Sequence, residues 1–135
     1  QDSDFKNMQN DADAAIKFLK EKKIKKIFVV GASIGANIAL NLAKNEDIID
    51  GVVIISPGRN YKSIKVEENI TNFGKKLFIS VGEDDTQAYT DSLYIFSTVK
   101  YNEYIKTYKT SAHGTNLFNE TDLDEQIFLW LGKNR

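Results

Sequence analysis

The sequence has no cysteine, a single proline and a single histidine. Without cysteine there are no disulfides and no thiolate metal sites, although this alone assigns no compartment. Neither sign of charge dominates. Lys and Arg number 18 against 19 for Asp and Glu, for a formal net charge of -1. No global field therefore draws nucleic acid or an anionic membrane surface. The lysine-rich run Lys20–Lys26 is local and reads as the solvated end of a helix, where cations suit the macrodipole. No apolar run is long enough for a membrane span, and the polar opening is unlike a signal peptide. The default expectation is a soluble, cytoplasmic chain. A start at Gln1 without an initiator Met leaves a fragment or a processed extracytoplasmic product open.

What is present is the composition of an ordinary globular domain: 41% hydrophobic and 27% charged residues over 135 positions, enough for one core. From Phe5 to Leu19 the apolar residues Phe5, Met8, Ala12, Ala15, Ile16 and Leu19 fall at helical spacing, with Asp2, Ser3 or Asp4 available as a cap. Lys26–Gly31 is a short β-branched and aromatic run, apolar on both faces, that suits an interior parallel strand. Ala36–Ala43 reads as helix. Gly51–Gly58 reads as a second buried strand stopped by Pro57, and Lys76–Gly82 as a third. Ala88–Val99 reads as helix despite its β-formers. Asn102–Lys109 alternates as a strand near a sheet edge, and Asp122–Lys133 is an amphipathic terminal helix. Between Pro57 and Lys75 lies one long polar stretch, 57–75, a linker or lid-like segment with a short helix expected around Val66–Phe73. Alternation of this kind predicts a parallel sheet with right-handed crossovers and helices on both faces.

Open α/β sheets carry their reactive groups beyond the carboxyl ends of the strands. Three such ends bear chemistry here. The first strand runs into Gly31-Ala32-Ser33-Ile34-Gly35, a G-x-S-x-G pattern where strand turns directly into helix. Such a bend lifts a serine hydroxyl above the sheet, and the flanking glycines allow close chain approach. The next helix points its amino end at the same place, and the Ile34 N–H is free to donate to an oxyanion. The plainer reading is a tight turn with Ser33 as a helix cap. A dinucleotide loop is excluded, because Ser33 and Ala36 stand where G-x-G-x-x-G needs glycine. A serine nucleophile needs a base. His113, in Ser111-Ala112-His113-Gly114, is the sole histidine, and the small residues around it suggest an exposed loop. A lone histidine is more often structural, but this one can reach a hydroxyl above the sheet. A base needs an orienting carboxylate. Glu83, Asp84 and Asp85 all follow the third strand, and at least two of them should be a solvated turn. The order serine, acid, histidine is that of one particular triad arrangement.

With those residues in view, the sequence resembles an α/β-hydrolase of the serine esterase and dienelactone-hydrolase-like kind, specifically the carboxyl-terminal half. Gly31–Asn37 is similar to the nucleophile elbow, which implies Ser33 as nucleophile. Val81–Thr86 is similar to the family's G-x-x-D, which implies Asp85 as the acid with Asp84 as runner-up. Ala112–Phe118 resembles the loop carrying the general base, implying His113. Ile55–Tyr61 resembles a stretch of bacterial esterase-like members. The resemblance implies a three-layer sandwich on a mostly parallel sheet of about four strands, the second half of an eight-strand fold, in a single partial domain over 1–135.

The implied function is hydrolysis of a small-molecule carboxylic ester or related acyl bond, with no cofactor and no metal. The alternative is a non-catalytic binding module or inactive hydrolase fragment. The loop that supplies the family's second oxyanion donor has no counterpart here. The outer edge of the first strand should be open, so another chain or an amino-terminal half is expected along Lys26–Val30.

Overall fold

The computed structural model describes residues 2–99 and 103–135. The chain runs through helix α1 (Asp2–Glu21), strand β1 (Ile27–Ala32), helix α2 (Ile34–Asn45) and strand β2 (Ile49–Ile55). A hairpin of β3 (Asn60–Tyr61) and β4 (Ile64–Lys65) follows, then the single turn α3 (Glu67–Ile70), strand β5 (Lys76–Gly82) and helix α4 (Thr86–Thr98). Strand β6 (Glu103–Tyr108), a 3-10 turn at Gly114–Asn116, α5 (Leu117–Glu120) and α6 (Leu123–Asn134) complete it.

The four long strands form one sheet in the order β1-β2-β5-β6, every pair parallel. Apolar runs with few charges make this possible, because a parallel sheet is covered on both faces. Residues 52–55 and 77–81 are all buried. One face packs against Ile16 of α1, Ala36, Leu40 and Ala43 of α2, Ile70 of α3 and Ile95 of α4. The other carries Val53, Ile55 and Phe78 against Leu117, Leu123 and Ile127. The result is the three-layer α/β sandwich that the alternation predicts.

Three local expectations need correction. β1 is not buried on both faces. Its outer edge is open, in line with its place at the end of the sheet, and there Val30 is 49% exposed. The start of α1 also differs, since the helix already includes Asp2, Ser3 and Asp4. The side chains of Asp2, Ser3 and Phe5 lie outside the described residues, as do Lys100, Tyr101 and Asn102. Finally, 57–75 contains two short strands besides the short helix expected around Val66–Phe73. It holds the β3–β4 hairpin and α3, fixed to α2 by side-chain amides: Asn37 Nδ2 donates to Ile64 O at 2.9 Å and Asn41 Nδ2 to Lys65 O at 3.1 Å.

The hairpin turns through Lys62 and Ser63, whose φ values are 48° and 69°. Two consecutive left-handed residues are what a two-residue type I′ turn requires, and glycine suits the second position far better than serine. Ser63→Gly is expected to raise unfolding stability by about 1 kcal/mol, read as a higher urea midpoint. A lower midpoint would contradict this turn geometry.

Candidate active site

The site is built where β1, β2, β5 and β6 end. Their ladders each continue one residue past the strand: Ser33 N–H donates to Ile55 O at 2.8 Å, Ser56 N–H to Ser80 O at 2.8 Å, and Glu83 N–H to Tyr108 O at 2.8 Å. The loops therefore start level with one another.

At the first of these ends the chain reverses from β1 into α2 in one residue. Ser33 takes φ 54° and ψ -125° and its side chain makes no capping bond, so the capping-serine reading does not describe it. A non-glycine residue held there stores about 1–3 kcal/mol of strain. Gly31 makes the turn sterically possible, because a Cβ at that position would sit 2.2 Å from Gly35 O. Gly35 is different: a Cβ there meets nothing within 4 Å, so only one of the two glycines serves close approach among the described residues. Ile34 is the first residue of α2, and an N–H in that position has no acceptor within its own helix.

The acid turn and the histidine loop are held together through Gly82. A Cβ on Gly82 would fall 2.4 Å from Thr110 O and 3.0 Å from Ala112 O. Asp84 N–H then donates to Thr110 O at 3.2 Å. On the loop itself, Ala112 N–H donates to Thr110 Oγ1 at 3.0 Å. Within Ser111–Gly114, Ala112 and Gly114 are buried and Ser111 is exposed, so the loop is less open than its small residues suggest.

These placements bring three side chains into line. His113 Nε2 lies 2.9 Å from Ser33 Oγ and His113 Nδ1 lies 2.5 Å from Asp85 Oδ2. An ionised carboxylate only accepts, so the paired state has Nδ1–H donating to Asp85 and leaves Nε2 to accept the Ser33 proton. Of the neighbouring acids, Asp84 is exposed and Glu83 accepts the Thr107 hydroxyl at 2.7 Å. The His113 side chain is 41% exposed and Asp85 17%, so the histidine faces solvent while its carboxylate is shielded.

Other residues of the site are not picked out by the sequence reading. Ser56, immediately after β2, is fully buried and its Oγ accepts from Gly114 N–H at 2.9 Å. Tyr61 of the hairpin stands edge-on to His113, ring centroids 6.3 Å apart. Asn37, fully buried, accepts from Gly58 N–H at 3.2 Å, and the buried Asp91 accepts from Arg59 N–H at 3.0 Å. A signal for Ser56 was present: the second strand also ends in a hydroxyl, beside Pro57. Tyr61, Asn37 and Asp91 are distant in sequence and left no such mark. Among the described residues no cluster of three or more His, Asp or Glu could hold a metal ion. Among them too, no helix is long and apolar enough to cross a membrane.

One family model and several solved structures are similar to this chain. The family model described as "Serine aminopeptidase, S33" matches residues 2–113. No curated protein matches the chain. Among solved structures, the esterase domain of a Rhodothermus marinus protein is similar at TM-score 0.66 and 13% identity, over 73% of this chain and 56% of that one. Est816, described as an N-acyl homoserine lactone degrading enzyme, is similar at TM-score 0.71 and 12% identity, over 90% of this chain and 73% of that one. A serine hydrolase from the polyaromatic-hydrocarbon-degrading bacterium Cycloclasticus zankles gives TM-score 0.60 at 12% identity, covering 78% and 68%. At such identities the likeness is one of fold. The chain thus spans little more than half the length of the Rhodothermus marinus domain.

Burial, reinforced by the negative charges of Asp85 and Asp91, pushes the Tyr61 phenol up to about 12 from an ordinary value of about 10. In that window the unfolded chain releases the proton and the folded chain keeps it, so stability falls as pH rises. Tyr108 acts in the same direction, raised by burial and by its bond to Asp122. Tyr61→Phe is expected to flatten the alkaline fall in unfolding temperature and to remove one late-titrating phenol from the near-ultraviolet titration. Loss of a phenol that titrates normally would contradict this.

Proposed function

The chain belongs to the serine aminopeptidase S33 family, and on that premise we propose that it is a serine hydrolase of carboxylic esters or related acyl bonds, acting through Ser33, His113 and Asp85. The observation that carries the reading is the continuous relay in which Ser33 Oγ is 2.9 Å from His113 Nε2 and His113 Nδ1 is 2.5 Å from Asp85 Oδ2. An esterase domain and a lactone-degrading enzyme among the fold neighbours agree with ester-like bonds as the reaction class.

In this mechanism Ser33 Oγ attacks the acyl carbon as Nε2 takes the hydroxyl proton. The carbonyl π pair moves onto oxygen, and the Ile34 N–H, at the positive end of α2, donates to that oxyanion. Asp85 fixes the tautomer and stabilises the imidazolium. Collapse of the tetrahedral species breaks the bond to the leaving group, which departs with the proton from Nε2. Water, deprotonated by the same nitrogen, then attacks the acyl-serine, and the acid is released as Ser33 recovers its proton.

We further propose that an amino-terminal half of the same fold, on this polypeptide or a separate one, pairs with β1 along Lys26–Val30. β1 is an edge of the sheet and its Val30 is 49% exposed. The fold neighbours are longer than this chain, which covers 56–73% of them. That half would bring a second oxyanion donor, and supplying it is expected to raise ester turnover by about 10²-fold. Unchanged turnover together with no association in sedimentation would refute the pairing.

The triad is tested by labelling. A fluorophosphonate should modify Ser33 and no other serine, and His113→Ala should abolish the reaction. Asp85→Asn is expected to lower kcat by about 10⁴-fold, with Asp84→Asn near the parent. Labelling that survives Ser33→Ala would sink the assignment and favour a non-catalytic module. A larger loss from Asp84→Asn would move the acid role to that residue.

A further inference from the structure

Two separate contacts run from Ser56 toward His113. Its side-chain oxygen accepts the N–H of Gly114, the residue directly after His113, at 2.9 Å in a buried setting. Its carbonyl faces the Tyr61 hydroxyl at 3.4 Å, and the Tyr61 ring stands edge-on to the imidazole. Gly58 makes room for that ring, since a Cβ there would meet Tyr61 at 2.8 Å. Ser56 is itself pinned to β5 by its N–H, which donates to Ser80 O at 2.8 Å.

Ser56 is also held at φ 48°, and its partner Gly114 at φ 58°. A serine in the left-handed region is uncommon, and such outliers gather where a site constrains them. The rest of the base loop explains why the hydroxyl matters. Ahead of His113 the loop is tied by Ala112 N–H to Thr110. Behind it, Asn116 N–H returns to His113 O at 3.2 Å, which is local and does not fix the loop to the sheet. The Gly114 bond to Ser56 is the hydrogen bond nearest His113 that ties the far side of the loop to the end of β2 among the described residues. Gly114 also lies against the elbow, with its Cβ position 3.8 Å from Ser33 Cβ.

We infer that Ser56 is a positioning residue for His113: its hydroxyl anchors the Gly114 backbone and its carbonyl steadies Tyr61, which together fix the imidazole over Ser33. This rests on the hydrolase reading above. Removing the anchor leaves the three reacting side chains intact but frees the loop by a fraction of an ångström or more. Small displacements of this kind cost up to about 10²-fold in rate.

The test uses Ser56→Gly, which deletes the hydroxyl while suiting the left-handed backbone, and Ser56→Ala, which deletes it and keeps the strain. Two readouts are taken: kcat and KM on a short-chain p-nitrophenyl ester, and the proton resonance of the His113 Nδ1–H in its bond to Asp85. Both variants are expected to lower kcat by about 10- to 100-fold with KM unchanged, and to broaden that resonance by exchange with water. Parent-like kcat and resonance in Ser56→Gly would overturn the inference, whether Ser56→Ala is impaired or fails to fold, because backbone strain rather than the hydroxyl would then be at issue. If the parent protein shows no fluorophosphonate labelling at Ser33, the hydrolase reading fails. The resonance then still reports whether Ser56 holds His113.

Discussion

The site depends on one steric allowance, the missing side chain at Gly82. Thr110 O occupies space that a Cβ would need, at 2.4 Å, and no rotamer change relieves a clash between backbone atoms. Only because β5 ends on glycine does the segment after β6 fold back over it. The amide bonds from Glu83 to Tyr108 and from Asp84 to Thr110 then lock the two together. Asp85 is carried on one of these segments and His113 on the other. Their 2.5 Å bond is therefore a consequence of backbone packing more than of side-chain attraction. Gly31 performs the same service at the elbow, where Gly35 O stands 2.2 Å from its Cβ position. Two glycines, at the ends of two strands, let three loops occupy a volume that ordinary side chains would fill.

That compression has a conformational cost borne by serines. Ser33 and Ser56 both adopt left-handed backbone, each at about 1–3 kcal/mol. The sheet beneath offsets it. Val52–Ile55 and Leu77–Ile79 are essentially inaccessible to water, and full burial of each such side chain contributes about 1.5–3 kcal/mol. The strain sits at the margin of the core, one residue past β1 and β2, where the ladder bonds to Ile55 O and Ser80 O still hold the backbone. Rigid strands thus end directly in strained residues, with no slack loop between them to relax the strain.

The architecture was legible in the sequence because its signals are local. Continuous apolar runs separated by helical periods give a parallel sheet, and G-x-S-x-G between a strand and a helix marks a sharp turn. That Ser33, Asp85 and His113 could lie near one another was legible for the same reason, since each follows on a strand whose end could be read. What escaped was whatever depends on contact between distant segments. The apolar pattern of Lys26–Gly31 reads as a strand covered on both faces, yet Val30 is left half-exposed at the open edge. Asn37 looks like an ordinary polar position in a helix. Its burial follows only from the hairpin lying across it, where it donates to Ile64 O and accepts from Gly58 N–H. Ser56 carried a visible sign, but its role depends on Gly114, far along the chain.

The segment 57–75 shows how these long-range ties divide the labour of the site. Asn37 and Asn41, one turn apart on α2, both reach the β4 backbone, and Asn69 Nδ2 donates to Asn41 Oδ1 at 2.8 Å. Asp91 of α4 takes the Arg59 N–H, and the Arg59 guanidinium lies over Tyr94, 4.2 Å from the ring centroid. The hairpin is thus fastened to the helix that begins after Ser33 and to the helix that begins after Asp85. Lifting it away would break several bonds worth about 1 kcal/mol each and would leave the buried amide of Asn37 unpaired at about 1–3 kcal/mol more. Because Tyr61 rides on this hairpin, the same ties that fasten it hold an aromatic edge beside His113, so the placement of that edge is coupled to the helices that follow Ser33 and Asp85.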